Sequence, residues 1–175
     1  IFKRATEHSK FKKLDSEERE KWKLFEGYVN YIIENEGKKN PIIGSQQSRS
    51  FNLNKILKQK LNFSREMVLF NVLYLILQML FYIERRSFSN VTERIERLKK
   101  YSARLARKEE YERAVQFIRL LQQLPKADYQ LDELSNTQKY LSAIQKAPFF
   151  YRGLPAELEV IPYEMLWSRI LDALE

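Results

Sequence analysis

The stretch that decides the fold is residues 88–125, FSNVTERIERLKKYSARLARKEEYERAVQFIRLLQQLP. Within it, an aromatic residue is followed three positions later by a β-branched or small residue twice, at Phe88 and Val91 and again at Tyr111 and Ala114. Residues three apart share one helix face, and a small or compact side chain there lets a second helix approach closely. The pattern therefore predicts helices that pack side by side as hairpins.

Apolar residues at helical spacing occur along most of the chain and predict an all-α fold of seven or eight helices. The predicted segments, in chain order, are the tail of a helix at 2–13, then 16–36, a short piece at 53–61, 67–83, 88–105, 108–124, 129–147 and a last helix after Pro162. Their predicted inward residues are Trp22, Phe25, Val29, Ile32 and Ile33; Val91, Ile95, Leu98 and Leu105; Tyr111, Ala114, Val115, Ile118, Leu121 and Leu124; Leu131, Leu134, Leu141 and Ile144; and Tyr163, Leu166, Trp167, Ile170, Leu171 and Leu174.

Local signals define several predicted helix ends. Asp15 and Glu18 have the spacing of a capping box, and Gly37 is suited to a left-handed C-cap. The polar residues after Gly37 show no periodicity, so we expect a mobile loop at about 37–51, where brief protease treatment should cut first. We expect one helical-repeat domain over 1–175, closed by a C-terminal capping segment at about 149–175.

The most apolar run is residues 67–83, MVLFNVLYLILQMLFYI, which is interrupted by Asn71 and Gln78. Seventeen residues stand at the lower limit of the roughly 17–25 that cross a bilayer. The two polar residues are seven apart and so share one face, as in a helix buried on most sides with hydrogen-bond partners on a neighbouring helix. A core helix is the favoured interpretation, and a transmembrane helix is the alternative.

Composition excludes several kinds of chemistry. The chain has one histidine, His8, and no cysteine, which rules out thiolate zinc sites, disulfides and multi-histidine metal centres. Its four glycines form no phosphate-binding motif. We therefore expect a non-enzymatic protein without a cofactor. The chain begins at Ile1, and its first residues read like the second half of a helix, so we expect a piece of a longer protein.

The formal charge of +8 is unevenly distributed. Residues 1–127 hold 27 Lys and Arg against 15 Asp and Glu, whereas residues 128–175 hold 4 against 8. The densest part is 85–108, with nine basic and two acidic side chains. Such asymmetry attracts an acidic partner or nucleic acid, although it also serves solubility.

The candidate site is a stripe with spacing 3, 4, 3, 4, which predicts that its members line one helix face for about four turns. It consists of Arg94, Arg97, Tyr101, Arg104 and Lys108. Guanidinium groups bind carboxylates or phosphates bidentately, and a tyrosine among them offers stacking or hydrogen bonding. The stripe is interpreted either as a solvated face with local ion pairs, as a site for an acidic peptide, or as a nucleic-acid contact.

Two features near the C-terminus leave alternatives. Phe149, Phe150 and Tyr151 form an apolar run after Pro148, which we expect to be buried where a loop crosses the core, with a recognition surface as the alternative. Residues 157–161, ELEVI, alternate briefly as in an extended or strand segment.

Residues 81–100, FYIERRSFSNVTERIERLKK, resemble a tetratricopeptide repeat around the turn between its two helices. Phe81 and Tyr82 occupy the places of the family's aromatic pair, and Phe88, Val91, Ile95 and Leu98 occupy the places that begin and follow its second helix. A similar second helix is matched by Tyr111, Ala114, Ile118, Leu121 and Pro125, and a first helix by the residues from Trp22 to Phe25. The two aromatic starts are 23 residues apart rather than the family's period of about 34, and Met79 stands where a small residue is expected.

The chain is thus similar to the C-terminal part of a degenerate bacterial helical-repeat protein. The resemblance implies antiparallel hairpins stacked as a right-handed superhelix or solenoid, and a cytoplasmic scaffold that binds a protein or peptide. Nucleic acid or another anionic surface, bound through the basic helix 85–108, is the alternative partner, and no membrane partner is expected.

Overall fold

The computed structural model describes residues 11–39, 57, 68–150, 153 and 158–175. In these ranges it contains α-helices and short 3₁₀ turns and no β-strand, so the protein is all-α there. The α-helices are α1 (Ser16–Lys39), α2 (Val68–Glu84), α3 (Phe88–Leu105), α4 (Glu112–Leu121), α5 (Thr137–Lys146) and α6 (Tyr163–Leu174). The 3₁₀ turns are Phe11–Lys13, Glu109–Tyr111 and Pro125–Ala127.

The chain divides into two compact units, Ile1–Tyr74 and Leu75–Glu175. In the first unit α1 begins as predicted, because the backbone N–H of Glu18 donates to Asp15 Oδ1 at 2.7 Å. The helix continues to Lys39 and passes through Gly37, so the predicted C-cap is wrong. Residues 2–10, 40–51 and most of 53–61 lie outside the described residues, and with them most of the predicted mobile loop.

The buried face of α1 differs from the predicted one. Leu24, Tyr28 and Tyr31 are buried, whereas the predicted residues from Trp22 to Ile33 are only half-buried. Tyrosine can be buried because its hydroxyl finds a partner, and the Tyr28 hydroxyl donates to the carbonyl oxygen of Leu73 at 2.7 Å. The predicted set left out Tyr28 and Tyr31, and the predicted face of α1 is therefore rotated away from the face that is buried.

Helix α2 is the predicted core helix. Its residues from Val72 to Leu77 and from Met79 to Phe81 are buried, and so is Gln78, while Asn71 is half-buried. In the described residues no helix is both long and apolar enough to cross a membrane. The structure therefore supports the interpretation of residues 67–83 as a core helix.

A tight turn joins α2 to α3. The N–H of Arg86 donates to the carbonyl of Ile83 at 2.8 Å and that of Ser87 to the carbonyl of Tyr82 at 2.9 Å, which together form a Schellman motif. Arg86 has φ 51°, the left-handed conformation that this motif requires. The turn permits α3 to begin at Phe88, as predicted.

The second unit is built around α4. Helix α3 packs on α4, α4 packs on α5, and α6 packs on both α4 and α5. All the predicted inward residues of α3 and of the 108–124 segment are buried, as are those of α6 except Leu171. Tyr163 stacks on Phe117 with ring centroids 4.4 Å apart, and this contact helps to hold α6 on α4.

Two predicted helices are shorter than expected. The 108–124 segment contains a 3₁₀ turn before α4 and ends as α-helix at Leu121. The 129–147 segment is helical only from Thr137, because Asp128, Tyr129 and Asn136 have φ of 45°, 61° and 59°. A left-handed residue cannot continue a right-handed helix, so these positions delay its start.

The C-terminal expectations are corrected in two respects. Phe149 and Phe150 are exposed rather than buried, and Tyr151 lies outside the described residues. Residues 158–162 contain no strand, and Val160 and Ile161 form a bend before α6. The alternation predicted for this segment fails because Leu158 and Glu159 are adjacent yet both buried.

Candidate binding surface

Helix α3 has one buried and one charged face. Val91, Ile95, Leu98 and Leu105 are buried, and their spacing of 4, 3 and 7 residues leaves the basic positions between them facing outward. The single exception among these basic positions is Arg94, which is buried. The five residues of the predicted stripe are therefore in different environments.

Arg94 belongs to the packing between α2 and α3. It is 8% exposed, and its Nε donates to Gln78 Oε1 at 3.3 Å. Its guanidinium carbon lies 5.0 Å from the centroid of the Tyr82 ring, and its Nη1 pairs with Glu93. Arg94 is thus the hydrogen-bond partner on a neighbouring helix that was predicted for Gln78. Because Arg94 is buried in these contacts, it is unsuited to binding another molecule directly.

Arg97, Tyr101 and Arg104 remain on the outer face. Arg97 and Arg104 are exposed and Tyr101 is half-buried. Arg97 Nη1 is 3.9 Å from Glu93 Oε1, a long ion pair between two side chains that are both more than half exposed. Exposed pairs of this kind contribute about 0–1 kcal/mol, so a partner's carboxylate can replace Glu93 at little cost.

Lys108 lies beyond the helix. Because α3 ends at Leu105, helical spacing does not determine the direction of this side chain, and its backbone is extended with φ −130° and ψ 122°. Its Nζ is 3.7 Å from Glu110 Oε1 and 5.7 Å from the centroid of the Tyr111 ring. Lys108 therefore lies past the end of α3 and is not in helical register with the other members of the predicted stripe.

The last turns of α3 and the residues after it hold several exposed cations. Lys100, Arg104 and Arg107 are exposed, and none of them forms an ion pair with another side chain in the described part of the protein. Lys99 is different, because it lies 3.7 Å from Glu96. We call Arg97, Lys100, Tyr101, Arg104 and Arg107 the basic surface of α3.

A second polar cluster was not predicted from the sequence. Arg113 of α4 is buried and its Nε and Nη2 donate to the two oxygens of Glu159 at 2.8 and 2.7 Å. Nη2 also contacts Glu164 at 2.8 and 3.0 Å, and Nη1 donates to the carbonyl of Ile144 at 2.6 Å. Glu159 also accepts the N–H of Tyr163 at 3.0 Å, at the beginning of α6. We call Arg113, Glu159 and Glu164 the arginine–glutamate cluster.

The signal for this cluster in the sequence is weak. Arg113 stands among residues that are buried on nearly every side of α4, so a charged residue there requires a partner. Its partners lie 46 and 51 residues further along the chain, which helical periodicity cannot identify. Hydrogen bonds to Glu159 are the main cause that raises the pKa of Arg113, which stays protonated.

Three tyrosines in the second unit have raised pKa values. Burial, assisted by a hydrogen bond to Glu110, raises the pKa of Tyr111 to about 12. Burial likewise raises the pKa of Tyr129 and of Tyr163. In the first unit, burial raises the pKa of Glu26 above its usual value of 4.5. Burial is the first cause of each of these four shifts, so they follow mainly from packing.

Beside the arginine–glutamate cluster a narrow cleft is lined by Glu110, Tyr111, Arg113, Ala114, Phe150, Leu158, Glu159 and Tyr163. No group of three or more His, Asp and Glu side chains in the described ranges could hold a metal ion. Comparisons with protein-family models, with curated proteins and with solved structures found no match to this chain.

Proposed function

We propose that the protein is a non-enzymatic binding module that uses the basic surface of α3 to bind an acidic segment of a partner protein. The observation that carries this proposal is that three exposed cations within eight residues of the chain, Lys100, Arg104 and Arg107, form no ion pair in the described residues and stand beside Arg97 and Tyr101. The guanidinium groups can each hold a carboxylate with two parallel hydrogen bonds. The half-buried ring of Tyr101 adds an apolar and hydrogen-bonding contact between them.

The distribution of acidic residues favours a short acidic segment over a nucleic-acid backbone. Glu93 and Glu96 are exposed in the first half of α3, with side chains 58% and 57% accessible. They would oppose a continuous row of phosphates along the helix, whereas a segment of a few carboxylates needs only the last turns. Nucleic-acid binding is the alternative function, and the same experiment tests it.

The proposed architecture is a stack of helical hairpins similar to tetratricopeptide repeats. It is supported by the packing of consecutive helices α3, α4 and α5 on one another and by the burial of Val91 and Ala114 at their predicted contact positions. A stacked array of this kind presents its outer side chains on a rigid scaffold, which is suited to protein recognition.

The test is the fluorescence anisotropy of a labelled glutamate-rich peptide titrated with the protein at about 50 and 200 mM salt. The triple variant Lys100→Gln, Arg104→Gln, Arg107→Gln should weaken peptide binding by about tenfold or more. A matched control replaces Arg119, Lys126 and Lys146, three exposed cations outside this surface, by glutamine and removes the same net charge.

Equal loss of affinity in both triple variants, or no binding at the lower salt concentration, would overturn the proposal. A labelled oligonucleotide of mixed sequence is measured in parallel. Tighter binding of the oligonucleotide than of the peptide, with a steep salt dependence that disappears in the α3 variant, would instead support the nucleic-acid alternative.

A further inference from the structure

The exposed large apolar side chains of the described residues are concentrated in one short part of the chain. Phe149, Phe150, Val160 and Met165 are 37%, 38%, 38% and 51% exposed, and all four lie between residues 149 and 165. Single exposed apolar residues are common and carry no meaning, but a concentration of them marks an interaction site. The other large apolar side chains whose burial the structure describes are buried or half-buried.

Two of these side chains adjoin the arginine–glutamate cluster, and the other two follow its carboxylates in the chain. The guanidinium carbon of Arg113 is 5.2 Å from the centroid of the Phe149 ring, and Phe150 lines the cleft beside Arg113. Val160 directly follows Glu159 in the chain, and Met165 directly follows Glu164. We call Phe149, Phe150, Val160 and Met165 the apolar patch.

The cluster has one negative charge in excess. Two carboxylates share a single guanidinium, since both Glu159 and Glu164 contact Nη2 of Arg113. The Glu159 side chain is 5% exposed, whereas that of Glu164 is 32% exposed, so the excess charge is accessible at Glu164. Glu110 contributes a further carboxylate to the lining of the cleft.

We propose that the apolar patch docks a partner segment that carries a lysine or arginine among apolar residues. Its apolar side chains would cover Phe149, Phe150 and Met165, and its cation would pair with the accessible oxygen atoms of Glu164. The exposed ring of Phe150 also attracts a cation approaching its face. An acidic segment would be repelled by the excess charge of the cluster, so this surface and the basic surface of α3 select partners of opposite charge.

The experiment titrates the intact protein into a labelled amphipathic peptide of leucine, alanine and lysine. A second peptide has each lysine replaced by glutamate. The lysine peptide should bind at least about tenfold more tightly than the glutamate peptide. Phe150→Ser and Met165→Ser, measured separately, should each weaken binding of the lysine peptide several-fold, since each removes apolar contact area from an exposed position.

Charge variants test the electrostatic part. Glu164→Gln should weaken binding of the lysine peptide, whereas Glu133→Gln, which removes an exposed carboxylate elsewhere, should leave it unchanged. Thermal unfolding of each variant is recorded, because Glu164→Gln also changes a contact with Arg113 and could lower stability. Met165→Ser does not replace a residue of that contact, so its effect on binding is separate from the cluster. The α3 triple variant should bind the lysine peptide as well as the original protein does, so failure of one proposed surface leaves the other testable.

The proposal is overturned if both peptides bind equally, or if neither serine variant changes the affinity for the lysine peptide. It is also overturned if the protein self-associates in sedimentation equilibrium and Met165→Ser abolishes that association. In that case the occupant of the apolar patch would be a second copy of the chain.

Discussion

At the scale of single residues, the arginine–glutamate cluster shows how this fold accommodates a buried charge. Arg113 is almost fully removed from water, and burying a guanidinium is costly unless carboxylates and carbonyls replace its hydration. Glu159, Glu164 and the carbonyl of Ile144 provide those contacts at 2.6–3.0 Å. The cluster thereby connects α4 with the end of α5 and the beginning of α6.

Replacing Arg113 by methionine should destabilise the protein by about 3–5 kcal/mol, because it leaves the buried Glu159 without its cation. The measurement is urea unfolding monitored by circular dichroism. Arg119→Met is the matched control, since Arg119 is exposed on the same helix, and it should change stability by less than about 0.5 kcal/mol. A loss below about 1 kcal/mol in the Arg113 variant would contradict a tightly coupled cluster.

The sequence predicted some polar contacts and missed others for a physical reason. Gln78 interrupts an apolar run, so its need for a partner on another helix was evident, and Arg94 provides it. Arg94 was predicted to belong to the exposed stripe because it is three residues from Arg97. That spacing does not reveal that the Arg94 side chain packs against the ring of Tyr82. Glu159 was missed because its partner is distant in sequence.

At the scale of helices, periodicity predicted the buried faces of α3 and α4, whereas Leu131, Leu134 and Leu141, which were predicted to be inward, are only half-buried. Val91, Ile95 and Leu98 of α3 are all fully buried, as predicted. Boundaries were harder, because a residue such as Asn136 adopts φ 59° through its loop context and not through a pattern that the sequence displays. The exposed Phe149 and Phe150 show the same limit, since hydrophobicity alone does not determine burial.

The beginning of α1 allows a test of its capping interaction. Asp15→Ala removes the acceptor of the Glu18 N–H and should cost about 1 kcal/mol. Glu17→Ala is the control, because it also removes an exposed carboxylate near the positive end of the helix dipole but no cap. Thermal unfolding of both variants separates the two contributions. Equal shifts in the melting temperature would mean that only the charge matters.

Helix α4 allows a test of close packing. Ala114 is 4% exposed, so Ala114→Arg should force a long charged side chain into the contacts of α4 and cost several kcal/mol, by overpacking and by burial of charge. Ala103→Arg makes the same change at an exposed position of α3 and should alter stability by less than about 0.5 kcal/mol. An unchanged melting temperature for the Ala114 variant would contradict the packing of this helix.

At the scale of the whole molecule, charge and titration determine how stability responds to solution conditions. The prevalence of basic residues in 1–127 and of acidic residues in 128–175 was evident from the sequence, and it underlies two candidate surfaces of opposite preference. The raised pKa values of Tyr111, Tyr129 and Tyr163 could not be predicted, because they depend on burial that long-range packing creates. These three tyrosines lead to a prediction for alkaline pH.

A tyrosine is neutral when protonated, and an unfolded chain releases this proton at a pKa of about 10. Because the folded protein holds the three protons more tightly, the tyrosines' contribution to stability is complete below pH 10. For Tyr111, that contribution is lost as the pH rises through about 12, the pKa of its phenol in the folded protein. Once the unfolded phenols are ionised, each such tyrosine lowers the free energy of unfolding by at most about 1.4 kcal/mol per pH unit.

Urea unfolding at pH 9, 10 and 11 should therefore show stability that falls progressively above pH 10. Tyr111→Phe removes one of the three titrations without removing the ring, so the free energy of unfolding should fall less steeply with pH in this variant. The comparison is made between slopes, because the substitution also changes stability at neutral pH through the lost hydroxyl. If Tyr111→Phe leaves the slope between pH 10 and 11 unaltered, the Tyr111 phenol is not protected from ionisation by folding.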